Sequence, residues 1–321
     1  MIESNTVFVL GAGASKPYGF PTGNELLERI ENCETLNKML KLFKGRSTTE
    51  HFKLREHYEA LRLKIADTAP ESIDLLISRW PSLEWIGKLS ISTEILEAEK
   101  NSLEQFRERN IEHWYTQLFH KITDEVKDKN SLSLLRKNQI SIITFNYDRS
   151  LEYRLRTLFE SLLEIESRDI IFNFVDSIKI IHVHGMIAEL FDSQNGKYFR
   201  YGDTYTLRDI ERLSKNINVM YSSRSNGKSD EISELLSKAE QVFFLGFAYH
   251  ASNMDYLKFP RKWVNNLSRP ANFYGTSMGV PIRKKEGLSE KLTAAIGQFT
   301  TTTNKVLFKD CGCAEFVNDY L

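Results

Sequence analysis

Short apolar runs rich in β-branched and aromatic side chains recur at Val7–Leu10, Ile140–Phe145, Ile178–Val183, Gln241–Leu245 and Asn272–Tyr274. Between them apolar residues return every three or four positions, the helical period. Strands alternating with helices in this way predict an α/β fold, doubly wound around a mostly parallel sheet and Rossmann-like in its layers. After the first run, Thr22 and Glu25 make a capping box, and Leu26, Ile30, Cys33, Leu36, Leu40 and Phe43 continue as one helical stripe that turns Cys33 to the core.

From about 45 to 130 no strand pattern occurs. Ile73, Leu76, Ile77 and Trp80 form one helical pattern, and Leu103, Phe106, Asn110, Trp114, Leu118, Ile122 and Val126 form a longer one. The stretch is expected to be a helical insertion in a single domain that spans residues 1–321. Leu151, Leu155, Leu158, Phe159 and Leu162 mark the helix after the second strand, and the small polar segment Tyr221–Asp230 reads as an exposed loop.

Composition narrows the classes. Lys+Arg and Asp+Glu both total 43, so no net charge steers the chain to nucleic acid or an anionic membrane. Hydrophobic residues at 41% and charged residues at 27% match an ordinary globular mixture. The opening MIESNTVFVLGAGAS has no basic n-region, and no apolar run approaches the ~18 residues of a membrane span, so a cytoplasmic protein is expected. Cys33, Cys311 and Cys313 are an odd set that fits reduced thiols and falls short of a four-cysteine zinc site.

Three strand ends carry the candidate chemistry. The first runs into Gly11-Ala12-Gly13-Ala14-Ser15, where minimal side chains let backbone N–H groups approach a phosphate. Lys16 occupies the third glycine position of the dinucleotide fingerprint, and no Gly-Lys-Ser/Thr closes a P-loop, which counts against a dehydrogenase and a P-loop NTPase. A tight turn that binds nothing is the alternative. The second strand ends in Thr144-Phe145-Asn146-Tyr147-Asp148, at the sheet edge where open α/β folds bind ligands, although Asp148 alone also reads as a helix cap. The third ends in His182-Val183-His184-Gly185; alternation places both histidines on one face, with Gly185 relieving crowding beside His184.

GAGAS followed by Gly19-Phe20-Pro21, then TFNYD, then HVHG, resembles in order and position the motifs with which sirtuins bind NAD and cleave its glycosidic bond. Ser72–Glu99, Val242–Leu257 and Phe273–Gly279 look more like the sirtuin-like proteins of bacterial anti-phage defence than like deacylases. The sirtuin zinc module has no counterpart, so no metal is expected. Thr22 stands where the family has an acidic residue, and Phe145 where it has glutamine, which argues against acyl-lysine peptides as substrates.

The resemblance implies a sirtuin-type NAD+ glycohydrolase that releases nicotinamide and ADP-ribose and depletes NAD in response to phage. Gly11, Ala12, Gly13, Ser15, Phe20, Pro21 and Thr22 would hold the dinucleotide, with Gly246 and Phe247 lining its other side. Asn146 would orient water and the ribose, Asp148 would accept from the carboxamide, and His184 would act as base on a ribose hydroxyl. His182 and His250 read as structural or peripheral. Expected partners are NAD+, further copies of the chain and a second protein such as a translocase-type ATPase or another phage sensor; nucleic acid and membrane are not expected. Trp80, Trp85, Trp114 and Tyr115 exceed what one helical stripe needs and are candidates for an interface or for packing within the domain. A non-catalytic NAD or ADP-ribose scaffold and a nuclease subunit remain as alternatives, the latter lacking an evident basic track.

Overall fold

The computed structural model describes residues 1–43, 47–108, 113–127, 129–163, 178–190, 197–218, 227–258, 271–297 and 305–321. Among these residues six strands form one sheet in the order β3-β2-β1-β4-β5-β6, and each pairing between them is parallel. They are β1 Thr6–Leu10, β2 Ile140–Thr144, β3 Lys179–His182, β4 Gln241–Leu245, β5 Asn272–Thr276 and β6 Val306–Lys309. The chain steps outward from β1 through β2 to β3, then returns to the far side of β1 at β4. The strand order therefore reverses between β1 and β4, opening a crevice beyond their carboxyl ends.

Period-two alternation sorts the strand side chains into two cores. Phe8, Leu10, Ile142, Phe243 and Leu245 face one layer, and Val7, Val9, Ile143, Val242 and Phe244 face the other. Both faces are covered, which is why the strands read as continuous apolar runs. The five predicted strands are all present. β6 was missed because each of its residues is only half-buried and it closes the sheet as an edge strand, so its pattern is weak.

Between β1 and β2 the described residues hold no strand. The helices there are α1 Gly23–Glu31, α2 Glu34–Leu42, α3 Thr48–Thr68, α4 Ile73–Arg79, α5 Glu84–Gln105 and α6 Trp114–Thr123. The Thr22–Glu25 capping box is formed in both directions. The single stripe expected over Leu26–Phe43 is two helices, because Cys33 adopts a left-handed φ of 61° and breaks the ladder. Cys33 packs against the core but is only half-buried. The longer pattern likewise divides between α5 and α6, and Asn110 lies outside the described residues.

After β2 come α7 Ser150–Leu163, then α8 Leu207–Leu213 and α9 Lys228–Lys238. The predicted loop at Tyr221–Asp230 is corrected in part: Lys228–Asp230 open α9, and residues 219–226 lie outside the described set. The remaining helices among the described residues are α10 Ala251–Tyr256, α11 Ile282–Gly297 and α12 Cys313–Tyr320. Among the described residues no helix is long and apolar enough to cross a membrane.

A fully buried ion pair ties the insertion to the sheet. Arg149, just before α7, donates Nε and Nη2 to the two carboxylate oxygens of Glu99 on α5 at 2.9 and 3.0 Å. Its Nη1 reaches the carbonyls of Glu189 and Phe199 at 2.7 and 2.6 Å. One side chain thus gathers three segments, with every nitrogen of the guanidinium bonded and a two-pronged fork onto Glu99. Trp114 and Tyr115 are core residues of their own chain: Trp114 Nε1 donates to the Ala14 carbonyl at 2.7 Å, and Tyr115 stacks on Tyr18 at 4.0 Å. They are thereby removed from the interface candidates, and of the four named aromatics only Trp85 is exposed.

Candidate functional site

The glycine turn after β1 is packed directly against the turn after β4. Gly11 N–H donates to the Leu245 carbonyl at 3.1 Å and Gly13 N–H to the Gly246 carbonyl at 3.0 Å. Ala14 and Ser15 N–H close turns onto Gly11 and Ala12. A Cβ on Gly11 or Gly13 would sit 2.6 or 2.8 Å from the Gly246 carbonyl oxygen, and one on Gly246 would sit 2.0 Å from Ala14 N. Gly246 also has a φ of +56°, where only glycine is unstrained. Three glycines therefore interlock the β1 and β4 turns, and most of the loop's N–H groups are already used. Close backbone packing at the strand-order reversal thus requires glycine at these positions, whatever the loop binds.

In front of this junction lies a cleft of about 120 Å³. Gly11, Ala12, Ser15, Phe20, Pro21, Thr22, Asn146, Asp148, His184 and Phe247 all line it. Gly13 and Gly246 do not; they pack on each other behind it. The loops after β1, β2 and β4 and the turn after β3 thus meet at one rim, where the doubly wound topology sends them.

Asn146 is buried and spends both N–H groups of its amide on the glycine turn, donating to the Gly11 carbonyl at 3.0 Å and to Ser15 Oγ at 3.1 Å. What it has left for a ligand is its carbonyl oxygen. Asp148 Oδ1 accepts from Ser150 N–H at 3.0 Å and from the Ser150 hydroxyl, an Asx turn onto the first residue of α7; the N-cap position itself is Arg149, whose carbonyl takes the first helical bond, and Asp148 lines the cleft. Burial pushes its carboxyl above the ordinary aspartate range, against the pull of the Ser150 hydrogen bonds.

The two histidines separate, contrary to the alternation argument. β3 ends at His182, and the chain turns through Val183 and His184 to Gly185 at φ +79°. His182 lines a smaller cavity with Asn146, Asp148 and Glu152; its Nδ1 lies 3.0 Å from the Asn146 carbonyl and its Nε2 2.6 Å from Glu152. Burial opposes its charged form, but Glu152 and the Asn146 carbonyl hold it above the ordinary histidine range. His184 faces the cleft in front of the glycine junction, against Phe145 with ring centroids 5.6 Å apart, and burial pushes it below that range. Gly185 is needed for another reason than the one expected: a Cβ there would lie 2.1 Å from the Asn216 carbonyl oxygen.

The far wall comes from the insertion. Glu71, Ser72, Ile73 and Asp74 at the start of α4, with Ile95 of α5, close the cleft. Asp74 Oδ1, Tyr147 Oη and His184 Nδ1 are buried without a hydrogen-bond partner, and all three residues line this one cleft. A buried polar atom left unpaired costs roughly 1–3 kcal/mol, so their convergence points to a ligand that supplies the missing bonds. Sequence reasoning missed Asp74 and Tyr147; Asp74 sits in a helical pattern far along the chain, and Tyr147 alternates out of the two polar positions beside it. His250, expected to be peripheral, also lines the cleft, with Nδ1 3.6 Å from Glu71.

Among the described residues, no three His, Cys, Asp or Glu side chains come together as metal ligands. Cys311 and Cys313 are buried free thiols that desolvation pushes up to about 11 and about 12. No family model matches the chain, and comparison with curated proteins returns no match.

Proposed function

We propose that the chain is an NAD+ glycohydrolase whose reaction takes place in the cleft between the strand ends and α4. The observation that carries this reading is the convergence of Asp74 Oδ1, Tyr147 Oη and His184 Nδ1, buried and unpaired, at the carboxyl edge of a doubly wound sheet. A volume of about 120 Å³ is below the ~300–1,000 Å³ of pockets for drug-sized ligands, so it suits the nicotinamide–ribose end rather than a whole dinucleotide. The pyrophosphate and adenylate would extend outward along Ala12 and Thr22.

In the reaction the C–N bond breaks, its electron pair leaves with the nicotinamide ring, and water adds to the ribose carbon. The transition state is oxocarbenium-like, as in glycoside hydrolysis. His184, neutral at cytosolic pH because burial disfavours its charged form, accepts a proton from a ribose hydroxyl. The side-chain Oδ1 of Asn146 is left to orient water, and Asp148 to accept from the carboxamide. The sirtuin-like motifs support the same reading, and with them the wider role of NAD depletion in phage defence, with further copies or a second protein as the activating partner.

Pure protein incubated with NAD+, alone and with candidate partners, tests the proposal by nicotinamide release. Turnover that His184→Ala lowers by ~10²–10⁴-fold is the expected result. NAD+ or ADP-ribose binding without turnover under any condition would favour a sensing scaffold instead.

A further inference from the structure

The helical insertion does more than cover the sheet. Asp74 lies in the first turn of α4, is 9% exposed, and lines the same cleft as His184, which is 3% exposed. An aspartate in the first turn of a helix is usually explained by the helix dipole, and that role is satisfied at the surface. This one is buried instead, with Oδ1 unpaired, opposite an imidazole whose Nδ1 is also unpaired. Two unsatisfied groups of complementary chemistry, carried by segments more than a hundred residues apart in the chain, face one cavity. Packing alone gives no reason for that arrangement, because an asparagine or leucine at 74 would avoid burying a carboxyl group.

We propose that Asp74 is the positioning partner of His184: its carboxylate holds the charge that the imidazole gains on accepting a proton, so the insertion completes the site rather than decorating it. The proposal rests on the NAD reading for the identity of the reaction, but not for the pairing itself. In the first half of the cycle a proton passes from a ribose hydroxyl to His184, and the imidazolium so formed is stabilised by Asp74. The water that adds to the ribose carbon returns one of its protons to that ribose oxygen, and His184 gives its proton to solvent as product leaves, so that NAD+ and water yield nicotinamide, ADP-ribose and one proton.

The groups around His184 define the background against which the pair acts. Lys228 of α9 disfavours the imidazolium, Asp74 favours it, and Phe145, Tyr147 and Tyr256 supply aromatic walls without charge. Glu71, His250 and Asp148 line the same cleft. Burial pushes Asp74 above the ordinary aspartate range, and His184 pulls against that shift.

Isotope-edited NMR titration of the full chain tests the pairing without any turnover. In Asp74→Asn the imidazole of His184 is expected to titrate at lower pH than in wild type, since it loses the carboxylate that favours its charged form. In His184→Asn the Asp74 carboxyl is expected to titrate at higher pH, which keeps the test open should the first variant fold poorly. Where turnover is present, Asp74→Asn should lower kcat by ~10²-fold with KM within about two-fold, and move the acid limb of kcat/KM to lower pH. Unchanged titration of His184 in Asp74→Asn and of Asp74 in His184→Asn would overturn the proposal, even if NAD+ were hydrolysed. Reciprocal shifts in a protein that never releases nicotinamide would uphold the pair and remove the NAD reading instead.

Discussion

The Asn146 side-chain amide donates to the Gly11 carbonyl at 3.0 Å, so the end of β2 is held directly to the glycine turn after β1. A second bond from the same nitrogen reaches Ser15 Oγ at 3.1 Å. Asn146 therefore shapes the turn as well as facing the cleft. Asn146→Ala removes both bonds, each worth about 0.5–1.5 kcal/mol, and should weaken NAD+ binding together with turnover. His184→Ala, which supports no part of the turn, should weaken binding less than Asn146→Ala while lowering turnover more. Calorimetric titration beside nicotinamide release separates the two; unaltered affinity in Asn146→Ala would count against the structural role.

Gly246→Ala should destabilise the fold rather than merely block a ligand. The position has a φ of +56°, and a Cβ there meets Ala14 N at 2.0 Å and Gly13 C at 2.3 Å, all backbone that cannot swing aside. The left-handed conformation alone costs about 1–2 kcal/mol. A clear fall in Tm is expected, and Gly11→Val should behave in the same way because it meets the Gly246 backbone from the other side. A variant with wild-type Tm that fails only to bind NAD+ would restore the phosphate-cradle reading.

Arg149→Met leaves Glu99 buried and uncompensated, and also frees the carbonyls of Glu189 and Phe199. Breaking such a pair from one side costs about 3–5 kcal/mol, whereas replacing both partners with apolar groups is often nearly neutral. Urea unfolding should show the single variant strongly destabilised, with part of the loss recovered in Arg149→Met/Glu99→Met. Equal losses in the single and double variants would mean that the carbonyl contacts, not the ion pair, carry the stability.

Glu25 links stability to pH at the edge of the cleft. Partial burial works against its charged form, but the Thr22 N–H and hydroxyl and the Lys16 ammonium at 2.9 Å hold its carboxyl down to about 2 from the ordinary 4.5. A carboxyl depressed in the folded state stabilises it at pH above 4.5, and that contribution drains away as pH falls toward about 2. The Tm difference between wild type and Glu25→Gln should thus be largest near neutrality and shrink steadily in acid. A difference that does not change between pH 7 and pH 3 would show that the capping box, not the charge, is what matters.

Five strands, the α/β class, the Thr22–Glu25 cap and the helical character of the region before Ile140 follow from the sequence itself, because burial on both faces and one-sided packing each leave a local period. Local period also marks the strand ends, which is how Asn146, Asp148 and His184 could be singled out. It carries no information about what lies opposite. Only the tertiary structure decided that Gly11 and Gly13 are small because Gly246 packs against them, that His182 and His184 part at the end of β3, and that Trp114 and Tyr115 are core rather than surface. The same holds for Asp74, whose place across the cleft from His184 depends on how α4 returns to the sheet. Contacts between segments separated by more than a hundred residues are set by the order of the strands and the path of the crossovers, and side-chain period does not encode them.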